Sequence, residues 1–308
     1  MENPNQTIQL TDKIVIPSVG FGTYLVANED TSFAVSTAIG AGYRHVDTAE
    51  GYGNEEGAGA GVQTGIKACG LSRDDIFITT KLWPGNPAWG NDLKTGQDTI
   101  NALNSSLVRL QLDYVDMYLI HAPFCTEHRL EQWSALVELR DQGKTRAIGV
   151  SNYSEAHIEE IKSAGLPLPD ANQIELHPWS QKPALVSFLT KNGIKAIAYS
   201  SLVPLSGWRA MPGQDSGKTD QMKADGDGGN SAFLAMAKKY GITESQVLLR
   251  WGVQKGYPVL PKSMNPERMR QNIDLFGFSI DDKDMATIER MDRGEGVAWP
   301  NGDPTLSR

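Results

Sequence analysis

Four ionisable side chains in this sequence are placed so that together they can polarise a carbonyl group and protonate it. Asp47, Lys81 and His121 each follow directly on a short apolar run, and Tyr52 lies five residues after Asp47. An ammonium within ~4–6 Å of a phenol favours the phenolate, so Lys81 is expected to lower the pKa of Tyr52 from ~10 toward the working range. Asp47 would hold Lys81 charged, and His121 would donate to the carbonyl oxygen. The set contains no hydride source, so reduction requires a cofactor.

The elements that must position these residues are short apolar strands alternating with amphipathic helices. Eight candidate strands are Val19–Thr23, Arg44–Asp47, Ile76–Lys81, Val115–Ile120, Thr145–Val150, Ala171–Glu175, Ile194–Tyr199 and Tyr257–Leu260. Helical spacing of apolar residues is clearest in Asp92–Leu110, Leu130–Val137, Ser231–Tyr240 and Thr243–Gln254. Eight such units favour a closed (β/α)8 TIM barrel of the α/β class over an open doubly wound sheet.

Two additions to the barrel are expected at its ends. Gln6–Leu10 and Lys13–Ile16 flank Thr11 and Asp12 and predict a β-hairpin that caps one end, while Asp281–Met291 predicts an extra helix after the last strand. No repeat or low-complexity tract divides the chain, so residues 1–308 are predicted to form a single domain. Because the carboxyl ends of barrel strands share one mouth, Asp47, Lys81 and His121 are expected to lie side by side.

Composition excludes several classes of function. The chain has 29 Lys+Arg against 37 Asp+Glu, a net charge of −8 without a basic run, which argues against a nucleic-acid or anionic-membrane surface but allows a local basic pocket. No apolar run approaches the ~20 residues of a membrane span, and the first residues do not resemble a secretory signal. The two cysteines, Cys69 and Cys125, are interpreted as reduced thiols. A cytoplasmic monomer is predicted.

Several familiar motifs are absent or incomplete. Gly57–Gly61 lacks the third glycine of a dinucleotide fingerprint and does not follow a strand, so close helix packing is the better interpretation. Gly213–Thr219 is one residue short of a P-loop. Cys125 and His128 have no complementary second pair, so no metal site is predicted.

A long irregular segment, Leu202–Asn230, follows the seventh candidate strand and is rich in Gly, Asp and Ser. Loops of this length in compact domains are usually functional covers or disordered insertions. Since it leaves the carboxyl end of a barrel strand, we expect it to cover the mouth of the barrel.

Five stretches, in order and spacing from about Gly20 to Asn272, resemble the signatures of the aldo-keto reductase superfamily. They are Gly42–Glu55, Thr80–Trp83, Leu119–His121, Gly149–Asn152 and Leu260–Ser263. The resemblance implies an oxidoreductase that uses NADPH to interconvert aldehydes or ketones with alcohols on a (β/α)8 barrel. It also implies that Tyr52 is the general acid, that Lys81 and Asp47 tune it, and that His121 orients the carbonyl.

The resemblance further implies a set of cofactor-binding residues. Ser151, Asn152 and Gln173 would hydrogen-bond the nicotinamide carboxamide, and Tyr199 would stack on the ring. Ser200, Ser201 and Leu202 would meet the pyrophosphate, Lys262, Ser263 and Arg268 the 2′-phosphate, and Gln271 and Asn272 the adenine. Gly22, Thr23, Asp47, Pro261 and Met264 complete the expected cofactor contacts.

The phosphate end of this set is also supported by residue type alone. Lys262 and Arg268 flank Pro266, which is suited to the first turn of a helix. An anion at that helix start would meet free N–H groups and two cations, which favours NADP over NAD.

The sequence departs from the family pattern beside the catalytic histidine. The family often has Trp directly after it, whereas Ala122 stands here, so a bulky wall of the substrate pocket is expected to be missing. The short tail after Met291 leaves open whether the tail sets specificity. Aromatic residues expected near the substrate are Tyr24, Trp83, Phe124, Trp179 and Trp208.

Two other functions are compatible with parts of this pattern. A cofactor-sensing, non-catalytic regulatory subunit would keep the fold, but the complete set of four ionisable residues speaks against it. A Schiff-base aldolase would use Lys81 as a neutral amine, and an adjacent Asp47 opposes that state. The leading prediction is therefore a carbonyl reductase acting on a small-molecule carbonyl or alcohol substrate.

Overall fold

The computed structural model describes residues 6–205, 232–299 and 302–307. Most of the segment expected to cover the barrel mouth, including Trp208 and the P-loop-like stretch, lies outside these residues. Two short antiparallel strands, β1 (Thr7–Gln9) and β2 (Val15–Pro17), form the expected hairpin. Among the described residues, no helix combines the length and apolar character that crossing a bilayer would require.

Within the described residues, seven parallel strands form a single curled sheet in which every strand pairs with its sequence neighbour. The strands are β3 (Phe21–Gly22), β4 (His45–Asp47), β5 (Phe77–Leu82), β6 (Val115–Ile120), β7 (Thr145–Ser151), β8 (Ala171–Glu175) and β9 (Lys195–Tyr199). All residues of β4, β5, β6 and β8 are buried, as expected of strands covered on both faces. The α/β barrel prediction is confirmed.

The prediction of a regular eighth strand at Tyr257–Leu260 is wrong, although this segment does close the barrel. Val259 forms parallel bridges to Val19 on one edge and to Ala198 on the other. Pro258 and Pro261 lack the N–H groups that a continuous ladder needs, so pairing is limited to single bridges. The barrel is therefore closed by main-chain hydrogen bonds around Val259.

Ten helices of at least eight residues lie in the described part of the chain. They are α1 (Asn28–Gly40), α2 (Glu55–Cys69), α3 (Gly96–Leu110), α4 (Arg129–Asp141), α5 (Glu155–Ser163), α6 (Pro183–Lys191), α7 (Ala232–Tyr240), α8 (Glu244–Gln254), α9 (Pro266–Ile273) and α10 (Asp282–Glu289). The predicted helices thus occur, and α10 is the helix expected after the barrel.

The glycine-rich stretch of α2 packs helices closely, as the sequence indicates. A Cβ added to Gly59 would lie 2.1 Å from the Leu110 carbonyl oxygen, and one on Gly57 would lie 2.4 Å from the Asn28 carbonyl oxygen. The glycines therefore allow α2 to touch the neighbouring main chain, which is a packing function.

The hairpin packs on the end of the barrel at which the strands begin. Its residues Leu10 and Ile16 share a buried cluster with Phe77 and Ala171, the first residues of β5 and β8. The opposite end, where the strands finish, is left for the functional site.

Candidate active site

Three neighbouring strands deliver ionisable side chains to the mouth of the barrel, as the sequence predicts. Asp47 is the last residue of β4, and His121 directly follows β6. Lys81 is the penultimate residue of β5, which continues to Leu82, and its side chain is fully buried. The parallel register therefore places the three groups side by side.

The ammonium of Lys81 is saturated by three acceptors. Its Nζ donates to Asp47 Oδ1 at 2.5 Å, to the Thr48 carbonyl oxygen at 2.9 Å and to the Tyr52 hydroxyl at 3.2 Å. Burial alone would lower the pKa of Lys81, but the charge of Asp47 and the bond to Tyr52 reverse this and raise it. Lys81 is therefore a charged ammonium aimed at the Tyr52 oxygen.

Tyr52 reaches over this pair from a short helical turn, Glu50–Tyr52. The carboxylate of Glu50 accepts from the main-chain N–H of Trp83 at 3.0 Å and from Lys94, so the turn is tied to the end of β5. Asn54, two residues after Tyr52, ties this turn to the loop after β3, because its buried amide donates to two carbonyl oxygens of that loop. Glu50 and Asn54 lie within the stretch Gly42–Glu55 that carries the family resemblance, but their hydrogen-bond partners could not be read from residue type.

The expectation of a lowered Tyr52 pKa is wrong for this site. Burial raises the pKa of Tyr52 above its usual value of 10.0, and Lys81 offsets this only in part. Proximity to an ammonium was readable from the sequence, whereas the degree of burial was not. Tyr52 is consequently held in its protonated form, which is the form that can give a proton away.

His121 faces Tyr52 with their ring centroids 5.4 Å apart. Burial, and then the nearby charge of Lys81, lower the pKa of His121 well below 6.5, so the imidazole is neutral. Its Nδ1 is buried without a hydrogen-bond partner among the described residues, which places the single ring proton on Nε2, since an unpaired buried N–H is costly. The Nε2–H is then available to a ligand.

A second hydrogen-bonded layer joins the ends of β7, β8 and β9. Gln173 donates to Asp47 Oδ2 at 2.7 Å, and Ser151 Oγ donates to the Gln173 carbonyl oxygen at 2.8 Å. The Tyr199 hydroxyl donates to Asn152 Oδ1 at 2.6 Å. Four of the residues expected at the nicotinamide therefore lie together beside Asp47.

One cavity of about 1770 Å³ runs from Tyr52 and His121 to the start of α9. At its far end, Asn265 caps α9 by accepting from the N–H groups of Glu267 and Arg268, and Pro266 stands in the first turn as predicted. The predicted cofactor residues that line the cavity are Gly22, Asp47, Ser151, Asn152, Gln173, Tyr199, Ser200, Ser201, Leu202, Pro261, Lys262, Ser263, Met264, Arg268, Gln271 and Asn272.

Three predicted site residues in the described part of the chain do not line this cavity: Thr23, Phe124 and Lys81, whose side chain is fully buried. Thr23 is fully buried, and its hydroxyl lies 3.3 Å from both the Asp47 carbonyl oxygen and Asn54 Oδ1, so its side chain supports the loop. Phe124 lies behind the lining, against the rings of Trp83 and Trp89.

Comparison with known proteins agrees with this geometry. The model of the Aldo/keto reductase family matches residues 18–293. The chain belongs to the aldo/keto reductase family. It is 34% identical to the methylglyoxal reductase DkgA of Escherichia coli over 96% of each protein, and 36% identical to the glyoxal reductase of Bacillus subtilis over 97% of each. The crystal structure of a Bombyx mori aldo-keto reductase in complex with NADP is 33% identical with a TM-score of 0.82, over 96% of this chain and 95% of that one.

This aldo/keto reductase does have an aromatic wall, although Ala122 does not provide it. We use the name aromatic wall for Trp83, Trp89, Phe124 and Trp299. The Trp83 and Trp89 rings stack with centroids 5.6 Å apart, and Trp299 stacks on Trp89 at 5.9 Å. The wall is therefore assembled from three separate segments, and position 122 itself carries no bulky side chain, as the sequence indicates.

Trp89 and Trp299 were not predicted as site residues. Trp299 belongs to the tail after Met291, whose docking cannot be read from spacing, and Trp89 follows a loop without strand or helix periodicity. Of the other predicted aromatics, Tyr24 packs on Tyr52 with centroids 5.1 Å apart, and Trp179 lines the cavity.

Proposed function

We propose that this chain is an NADPH-dependent carbonyl reductase in which Tyr52 is the general acid. One observation carries the proposal: a protonated, half-buried phenol lies 3.2 Å from a charged ammonium, at the inner end of a cavity whose outer end carries two cations. The first feature suits proton delivery to a developing alkoxide, and the second suits a phosphorylated cofactor.

The cavity fits NADPH on its own residues. Ser201 Oγ is buried without a partner among the described residues, as expected of a group that a ligand completes. Lys262 and Arg268 lie beside the first turn of α9, where two cations favour a phosphate. The free N–H groups expected there are absent, because Asn265 accepts from the N–H groups of Glu267 and Arg268, and Pro266 has none. NADPH, when bound, supplies the hydride that the side chains cannot. The NADP bound to the Bombyx mori relative supports this assignment.

The side chains then divide the remaining work. His121 donates its Nε2–H to the carbonyl oxygen of the substrate, which polarises the carbon–oxygen bond. Tyr52 gives its hydroxyl proton to that oxygen as the carbon is reduced, and Lys81 stabilises the phenolate left behind. Asp47 keeps Lys81 charged and oriented. Solvent reprotonates Tyr52 after the alcohol leaves.

The Schiff-base alternative is disfavoured by the same geometry. An amine nucleophile must be neutral, whereas the pKa of Lys81 is raised by Asp47 and Tyr52. All three of its N–H groups are also engaged by acceptors.

Replacement of the phenol hydroxyl tests the proposal. In Tyr52→Phe, we expect kcat for methylglyoxal, the substrate named for a relative, to fall about 10²–10⁴-fold, the usual contribution of a general acid. NADPH affinity should stay within about twofold, because the ring and its packing are kept. The assay follows the loss of NADPH absorbance, and affinity is measured by quenching of tryptophan fluorescence.

A matched control is Tyr114→Phe, which also removes a phenol hydrogen bond, to Asp74 on the surface. It should leave kcat unchanged. A Tyr52→Phe variant with wild-type turnover contradicts the general-acid assignment. A wild-type protein that binds NADPH but reduces none of a panel of aldehydes, ketones and keto-sugars instead indicates the regulatory-subunit function.

A further inference from the structure

The end of β8 carries a buried carboxylate that the proposed chemistry does not use. Glu175 is the last residue of β8, and His177 follows two residues later, with both side chains only 1% exposed. Isolated charges are costly to bury, so such a carboxylate needs donors.

The donors of Glu175 come from His177 and from the tail of the chain. Oε1 accepts from His177 Nε2 at 2.8 Å and from the Val297 main-chain N–H at 2.8 Å, while Oε2 accepts from the Ala298 main-chain N–H at 2.9 Å. His177 Nδ1 accepts from the Trp179 N–H, which places the ring proton on Nε2. Burial raises the pKa of Glu175, but these hydrogen bonds outweigh it and lower the pKa, so the group is an anion.

The next residue of the tail is Trp299, which contacts both Tyr199 and His121. Its Nε1–H donates to the Tyr199 hydroxyl at 2.9 Å, and Tyr199 donates in turn to Asn152. The Trp299 ring also meets the His121 ring edge-on, with centroids 6.0 Å apart. One side chain therefore contacts the residues expected at the nicotinamide and the residue expected at the carbonyl.

We infer that Glu175 is a positioning residue for substrate selection. Its carboxylate, oriented by His177, fixes the main chain of Val297 and Ala298, and this sets Trp299 as the closing member of the aromatic wall and as the donor that orients Tyr199. The wall then favours carbonyl substrates that carry a flat aromatic ring, because the indole rings of Trp83, Trp89 and Trp299 line the cavity beside His121. The inference rests on the proposed function and names the substrate class of the same site.

The close approach of the tail to Glu175 is supported by a glycine. A Cβ added to Gly296 would lie 2.3 Å from Glu175 Oε2 and 3.1 Å from Asp303 Oδ2. Any side chain at this position would separate the tail from the carboxylate. Gly296→Ala therefore disturbs the same contact as a change at Glu175, from the opposite side and without removing a charge.

The test compares an aryl aldehyde, 2-naphthaldehyde, with the small substrate methylglyoxal. In Glu175→Gln, at least one main-chain N–H of the tail faces the amide N–H₂ of the new side chain and loses its acceptor. We therefore expect the ratio of kcat/KM for 2-naphthaldehyde to kcat/KM for methylglyoxal to fall about tenfold. The change should come mainly from a higher KM for 2-naphthaldehyde. The Kd for NADPH should rise about threefold, because Tyr199 loses its fixed donor. Gly296→Ala and Trp299→Ala should change the ratio in the same direction.

The double variant Glu175→Gln/Trp299→Ala decides whether the carboxylate acts through Trp299. Its ratio should equal that of Trp299→Ala alone, because the two changes remove one effect. Glu159→Gln, at an exposed carboxylate of α5, is the matched control and should leave the ratio unchanged.

Equal losses for both substrates, or additive effects in the double variant, overturn the inference, since a merely structural residue behaves in this way. If Glu175→Gln does not fold, Gly296→Ala decides alone, and an unchanged ratio in that variant also overturns it. The Kd for NADPH needs no turnover. An effect on Kd in a protein without reductase activity would thus contradict the proposed function while preserving the positioning role of Glu175.

Discussion

The proton-donating side of the site and its aromatic wall are built in different ways. Asp47, Lys81 and His121 extend from consecutive strands, and Lys81 bonds Asp47 and Tyr52 directly. Trp299 comes from an irregular tail that is held by main-chain N–H groups on the carboxylate of Glu175. The proton-donating side is therefore fixed by the barrel strands themselves, whereas Trp299 is fixed by hydrogen bonds between the tail and a strand-end side chain.

This difference assigns proton transfer to the strand ends and choice of substrate to the docked tail. A group that transfers a proton must keep its geometry within a fraction of an ångström, and a strand end gives that precision. A substrate wall can vary without loss of the chemistry, so a docked tail is sufficient for it. Changes on the two sides should therefore affect different kinetic parameters.

The largest effect is expected from Lys81→Met. The change leaves Asp47 buried with only the Gln173 amide as a side-chain donor, so the free energy of unfolding should fall by about 3–5 kcal/mol. Because Lys81 also lowers the pKa of Tyr52, its loss should reduce kcat at least about 10²-fold for every substrate. Urea denaturation and NADPH oxidation measure the two effects.

The double variant Asp47→Asn/Lys81→Met separates stability from catalysis. It removes both charges, so most of the stability should return while kcat stays low. A double variant that is as unstable as Lys81→Met would show that packing of the ammonium, rather than its pairing, holds this side of the site. Recovery of kcat would contradict the role of the pair in tuning Tyr52.

The proton-donating side could be read from the sequence because it depends on local patterns. Asp47, Lys81 and His121 each follow an apolar run, and parallel strands bring such positions to one edge. The same reasoning placed the closing strand at Tyr257–Leu260 but overestimated its pairing, because the effect of Pro258 and Pro261 depends on both neighbouring edges. It also misjudged the pKa of Tyr52, since burial is a property of the folded site.

Trp83 and Phe124 of the aromatic wall were expected near the substrate, whereas its closing member Trp299 could not be predicted, for a different reason. Val297 and Ala298 bind through main-chain N–H groups, which every residue except proline possesses, so their types carry no signal. Glu175 was recognised only as the end of a strand. Its partners in the tail, Val297 and Ala298, lie more than 100 residues away, and only the folded chain shows that they meet.

A smaller effect, on pH dependence, should appear on the proton-donating side alone. Burial raises the pKa of Tyr52 above 10.0, so the acid form needed for reduction persists to about pH 10. The pKa of His121 lies well below 6.5, so the imidazole stays neutral above that pH. We expect kcat/KM for reduction to be flat between about pH 6.5 and 9, whereas alcohol oxidation, which needs the phenolate, should rise with pH.

The selectivity ratio should show no pH dependence in this range. The pKa of Glu175 is lowered below 4.5, so its contribution is complete at higher pH and is lost only as the pH falls through that lowered value. Profiles for 2-naphthaldehyde and methylglyoxal should therefore run parallel from about pH 6.5 to 9. A step in the ratio near neutrality would contradict an ionised Glu175, and a step in the methylglyoxal profile near pH 6.5 would contradict a neutral His121.

The smallest effect is expected at the outer anchor of the tail. Asp303 accepts from the Gly296 N–H at 2.8 Å and forms an ion pair with Lys182. Asp303→Asn removes the charge but keeps an acceptor for Thr305, so we expect the selectivity ratio to change about threefold, less than with Glu175→Gln. The matched control Lys182→Met removes the same ion pair from the side of α6. If Asp303→Asn alters the ratio more than Glu175→Gln does, the tail is held chiefly from its outer end, and Glu175 has the lesser part in placing Trp299.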